Sequence, residues 1–265
     1  MHRTGVAVIL RSIRSELAKL SWRSPLFYAL VPLAILIPFG LNAGLAVAAQ
    51  LNKINGSGGM DTDNAAYWVI VFSTFIMMAG AVTSYCGEFK DRTAETVFSI
   101  APPRWLLPVA KLIVFGTIAS ATVFATTLAI MLVLPKVFPD VWNRVNPWEA
   151  AGLRLLVGTP VLAFLIVALA LGVSMLIPRP GVAIMLLLLW KWGVEVFVGF
   201  VPGDFGILLQ RFAPFKNGEM GAGQSPTFDS PFGGPNGSMA YFAAIAVVVF
   251  GIGVARLVLR DVPGD

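Results

Sequence analysis

The 265-residue chain has one cysteine, Cys86, and one histidine, His2. A lone thiol forms no disulfide within the chain, and one thiol with one imidazole does not furnish the ligand set of a Cys/His zinc or haem site. Charge is also scarce: Asp, Glu, Lys and Arg make up 12% of the residues, against about 25% in soluble domains. No G-x-x-x-x-G-K-[ST] stretch occurs, which excludes nucleotide binding through a phosphate loop. The long apolar runs contain no histidine and no converging nucleophile and base, so an intramembrane enzyme is not expected.

What the chain has instead is apolar length. Hydrophobic residues account for 57% of it, and its mean hydropathy is +0.80. A helix crosses a bilayer in about 20 apolar residues. Runs of that kind cover residues 26–49, 66–86, 108–134, 153–177, 182–201 and 239–259, each bounded by charge, proline or glycine. The expected fold is an all-α integral membrane protein with six transmembrane helices, a single domain filling residues 1–265.

Residues 1–23 precede the first run. Val6, Ile9, Leu10, Ile13, Leu17 and Leu20 recur at helical spacing, with Arg11, Arg14, Ser15 and Lys19 opposite, which predicts an amphipathic helix lying on the membrane surface. A cleaved signal peptide is the alternative, but the charged stretch is long and the apolar run after it exceeds a cleavable core. Ser24-Pro25 supplies an N-cap and a first-turn proline for the first span. Arg3, Arg11, Arg14, Lys19 and Arg23 flank that span, and the loop between the second and third spans is also basic. The positive-inside rule then puts both termini in the cytoplasm, in a multi-pass protein of the cytoplasmic membrane. It also accounts for the formal charge of +5 without nucleic acid as a partner.

Pro178-Arg179-Pro180-Gly181 predicts a tight turn that makes the fourth and fifth spans a hairpin. The glycine- and proline-rich loop 202–238 contains an apolar stretch, 205–212, too short to cross a bilayer; it is either a packed external loop or a re-entrant element. Asn55-Gly-Ser57 and Asn236-Gly-Ser238 match the glycan-acceptor triplet, a pattern common by chance. Trp22, Trp68, Trp105, Trp142 and Trp148 fall near predicted span ends, as aromatic-belt residues do.

The loop between the second and third spans has more than basic charge. Thr93 is placed to cap a short helix whose apolar members Val97, Phe98 and Ile100 need a surface to cover, and Pro102-Pro103 ends it. Taken in order, Glu88, Arg92, Thr93, Glu95, Val97, Phe98, Pro102 and Arg104, followed by Lys111, resemble the first cytoplasmic loop of the ABC type-2 permease family, the membrane subunits of many bacterial ATP-driven exporters. The six-span layout and the amphipathic N-terminus are similar to that family as well. Arg92 and Ala110 depart from it, standing where glycine often precedes the threonine and the lysine. The resemblance implies that residues 88–104 form a coupling helix seated in a groove of a separate cytoplasmic ATPase. It further implies that ATP and Mg are bound by that partner, none by this chain, and that a second permease copy or a related permease completes the pathway.

Two ionisable residues fall inside the fifth span. Lys191 and Glu195 are spaced i, i+4 and share a helical face. Each isolated charge there costs about 2.5–3.5 kcal/mol on an insertion scale, so they line a pathway or form a structural pair. Trp190 and Trp192 beside them are packing or pathway-lining aromatics. A secondary transporter built on this pair and a non-transporting membrane scaffold are the competing functions; the substrate is left open.

Overall fold

The computed structural model describes residues 5–21, 23–51, 59–90, 103–225 and 228–259, and among these every regular element is helical. Backbone N–H and C=O groups find no water in hydrocarbon, so a spanning segment must satisfy them within itself, which the helix does. In chain order the elements are α1 (Gly5–Lys19), α2 (Leu26–Leu51), α3 (Thr62–Lys90), α4 (Leu106–Val137), α5 (Pro139–Trp142), α6 (Ala150–Leu176), α7 (Pro180–Val198), α8 (Gly203–Arg211), α9 (Pro214–Ala222) and α10 (Pro235–Leu259). Six of them, α2, α3, α4, α6, α7 and α10, are long and apolar enough to cross a membrane.

These six coincide with the apolar runs of the sequence but extend beyond most of them. The second starts at Thr62 and ends at Lys90, and the third covers Leu106–Val137. Hydropathy locates the hydrocarbon-facing part, whereas helical hydrogen bonding continues into polar flanks. The fifth instead stops at Val198, short of residue 201, because Gly199 and Pro202 follow.

α3 and α6 form the centre: 72% of the most apolar window of each is buried, against 17% for α10 and 22% for α2 and α7. Close approach onto α6 depends on glycine. A Cβ on Gly172 would stand 2.7 Å from the Phe250 nitrogen of α10, and one on Gly253 would stand 2.8 Å from the Gly172 oxygen. Small residues at helix crossings of this kind let backbones touch where no hydrophobic drive separates protein from lipid.

Polar side chains repair the helices where sequence breaks them. Pro38 leaves the Ala34 carbonyl of α2 without its helical N–H, and the buried Ser73 hydroxyl of α3 donates to that oxygen at 2.5 Å. Arg256 of α10 donates to the Leu176 oxygen at 2.6 Å, closing the C-terminus of α6 ahead of the turn at 178–181. π-helical turns interrupt three spans, at Leu26–Leu30, Val69–Ser73 and Leu189–Val194, and the last contains Lys191.

The segment after α7 folds back on the bundle in two helices with different surroundings. α8 holds the apolar stretch singled out in the sequence, yet Phe205, Ile207 and Leu208 on it are exposed. The element packed into the bundle is α9, where Phe215, Asn217, Met220 and Ala222 are buried against α6 and α10. Pro214 opens α9 and Gly223, at φ 107°, closes it, with the Gln224 N–H returning to the Glu219 oxygen. Its Gly218 and Gly221 admit Leu162, Phe242 and Met239 at distances a side chain would block.

Candidate functional site

Two groups of buried charges stand on the two sides of the bundle. The first joins α1 to α3 and α4. Ile9, Ile13, Glu16 and Leu20 follow one stripe of the N-terminal helix, so the helical period that turns the isoleucines inward carries Glu16 with them. Glu16 is 4% exposed and accepts from Lys111 of α4 at 2.7 Å and from Lys19 at 2.6 Å. Glu88, near the end of α3, accepts from Lys19 at 2.7 Å and stands 3.1 Å from Lys111. Lys111, 1% exposed, also donates to the Ser84 hydroxyl at 3.0 Å and lies 5.9 Å above the Phe115 ring.

Two carboxylates and two ammonium groups thus neutralise one another, with Glu16, Glu88 and Lys111 buried and Lys19 closing the cluster at the surface. Buried charges persist only when paired and hydrogen-bonded, and each member here has at least two partners. Burial works against the Lys19 charge, but its hydrogen bonds to Glu16 and Glu88 outweigh that and hold its ammonium above the ordinary lysine value of 10.5. A raised lysine contributes stability that is fully present below that value and is lost only as the pH climbs past it.

The second group fixes α9. Lys191 and Glu195 share a face of α7, and each reaches α9. Lys191 bridges to Glu219 at 2.5 Å and sits 5.4 Å over the Trp192 ring. The Glu195 carboxylate accepts the N–H groups of Phe215 at 2.8 Å and Lys216 at 2.9 Å, capping the first turn of α9 from a neighbouring helix. The i, i+4 spacing matches one turn of α7 to the separation between the start and the middle of α9. Asn217, 0% exposed, completes the attachment by donating to the Arg211 and Ala213 oxygens at 2.9 Å.

Of the loop residues selected from sequence, Glu88 and Arg104 are described at its two flanks, and Glu88 belongs to the first cluster. Arg92, Thr93, Glu95, Val97, Phe98 and Pro102, with Trp22 and Asn55, lie outside the described residues. Trp190 and Trp192 are on the outward side of α7, 47% and 39% exposed. Trp142 is instead fully buried, and Asn236 holds Arg154 through its side-chain oxygen at 2.5 Å. Sequence reasoning missed Glu16 and Glu219. Glu16 was detectable as a charge on an apolar stripe; Glu219 was screened by its glycine-rich surroundings, which look like loop. Among the described residues no group of three or more His, Cys, Asp or Glu is placed to hold a metal ion. No family model matches the chain, and no curated protein matches it.

Replacing one member of a buried charge cluster strands the others. Lys111→Met is expected to destabilise the protein by about 3–5 kcal/mol, or about 10 °C in apparent melting temperature in detergent, whereas Lys111→Arg is expected to lose much less. Glu195→Ala is expected to leave α1 in place and to expose the α8–α9 segment to limited proteolysis, at a cost of about 2–3 kcal/mol from two charge-assisted hydrogen bonds.

Proposed function

We propose that this chain is the membrane permease subunit of an ATP-driven exporter, working with a separate cytoplasmic ATPase that binds ATP and Mg. The resemblance of residues 88–111 to the ABC type-2 permease loop motivates the reading. The observation that carries it is the Glu16–Lys19–Glu88–Lys111 cluster, because it joins both flanks of that loop to α1. A push delivered to the loop by a docked ATPase would reach α3, α4 and α1 together, since separating them means exposing or unpairing buried charges.

In this reading α1 lies on the cytoplasmic surface, with Leu10 and Leu17, 51% and 49% exposed, turned to lipid. Arg11, Arg14, Lys90, Arg104 and Arg179 are on the same side of the bundle as α1, consistent with cytoplasmic termini. The sparsely buried faces of α2 and α7 leave apolar surface, including Leu36 and Phe197, for lipid or a second permease copy. The alternative of a proton-coupled carrier built on Lys191 and Glu195 is weakened by the use of both side chains to hold α9. Binding groups that must release a proton each cycle are poorly served by such fixed bonds.

The cluster also changes which loop variants are informative. Glu88→Lys would place a third lysine beside Lys19 and Lys111 and dislodge α1, so a loss of activity in it would report on folding. The cleaner experiment keeps Glu88 and scrambles residues 91–102. Affinity purification from membranes in mild detergent is expected to recover a near-stoichiometric ATPase with the unaltered protein and to lose it with the scrambled loop. Recovery of folded protein without any ATPase would contradict the proposal.

A further inference from the structure

Two adjoining cavities open on the side of the bundle away from α1. The smaller, about 400 Å³, lies between Asn42 of α2, Asp61 and Asp63 at the start of α3, and Trp142 of α5. The larger, about 600 Å³, shares Asp63 and Ser225 with it and continues to Gln224 and Asp229. Their walls are fixed by hydrogen bonds: the Met60 N–H donates to the Val141 oxygen at 2.7 Å, and the Thr62 hydroxyl donates to the Arg144 oxygen at 3.0 Å while accepting the Asn146 N–H.

The polar groups of this cleft are incompletely used. Asn42 is 1% exposed; its amide nitrogen donates to the Pro38 oxygen at 2.9 Å, but its Oδ1 has no partner. Gln224 repeats the pattern, donating to Asn64 while its Oε1 is unpartnered. Trp142 Nε1, in a side chain of 0% exposure, also lacks an acceptor. An unpaired buried polar atom is costly and uncommon in folded proteins; Asn42 and Trp142 line the smaller cavity and Gln224 the larger.

The chemistry of the walls selects that occupant. Two of the three unpartnered atoms are acceptors, and the carboxylates of Asp61, Asp63 and Asp229 add negative charge. Asp63 accepts the Ser225 hydroxyl at 2.6 Å. Of the two guanidinium groups nearby, Arg144 stands 3.6 Å from Asp61 and offsets it, while Arg154 keeps its charge but commits its N–H groups to the Gly221 oxygen at 2.7 and 3.0 Å and to Asn236, leaving Asp63 and Asp229 in excess. The site therefore asks for donors and positive charge, in a volume suited to a small organic molecule. The absence of a three-acid ligand group among the described residues disfavours a bare divalent ion.

We propose that this cleft binds a small organic ammonium compound, an amine with several N–H donors, held by Asp63 and Asn42 with Gln224 at its second end. The proposal is independent of the exporter reading, since it concerns binding to this chain alone. It is tested by isothermal titration of the full chain in nanodiscs of zwitterionic lipid, with spermidine as the probe and glucose and inorganic phosphate as neutral and anionic comparators. Spermidine is expected to bind saturably at one per chain, and the comparators not at all. Asp63→Asn, which retains the Ser225 bond, and Asn42→Ala are each expected to weaken spermidine by about tenfold or more at unchanged melting temperature. Because Asn42 is buried, Asp63→Asn alone decides if Asn42→Ala fails to fold. Absence of spermidine binding, equal affinity in Asp63→Asn, or preferential binding of glucose or phosphate would overturn the proposal.

Discussion

Glu16, Lys19, Glu88 and Lys111 meet where α1 lies against the end of α3 and the beginning of α4, and the arrangement of that whole side of the bundle depends on their pairing. An ion pair in a buried site is not necessarily a gain over apolar packing, but it is exacting about geometry, because any relative displacement leaves a charge without its partner. α1 would otherwise be held only by a few isoleucines and leucines. Here it is tied to two spans through side chains more than ninety per cent buried at Glu16, Glu88 and Lys111.

A second constraint of the same type operates on the other side. Lys191 and Glu195 extend from α7 to α9, one pairing with Glu219 and the other capping the helix start. α9 is short and rich in small residues, and its burial against α6 and α10 requires those contacts at its polar groups as well as the close glycine packing at Gly218 and Gly221. Both charge groups perform one mechanical task, joining a non-spanning helix to the spanning bundle, and they do so on opposite sides.

The six spans were legible from hydropathy because the bilayer imposes length and apolarity on any helix that crosses it. The N-terminal helix was legible from the spacing of Ile9, Ile13 and Leu20. Lys191 and Glu195 were found because charges in an apolar run stand out, but their partners were not: the spacing of two residues on one helix says which face they occupy and nothing of the element that packs there. Glu219 and the buried helix around it come from a glycine-rich stretch, and the apolar stretch beside it, 205–212, is a separate helix on which Phe205, Ile207 and Leu208 are exposed. Asn42 and Gln224 carry no sequence signal of being half-satisfied, since that depends on neighbours brought in from α5 and the approach to α3.

The claim that α1 is one unit with the ends of α3 and α4 is tested most directly by hydrogen exchange of the unaltered protein in nanodiscs, read by mass spectrometry over residues 5–19, 84–90 and 106–115. The amides of α1 are expected to be protected to the same extent as those of the two spans it is bonded to and to open together with them, as one cooperative unit. Exchange of α1 at the rate of a detached surface helix, while α3 and α4 stay protected, would contradict it.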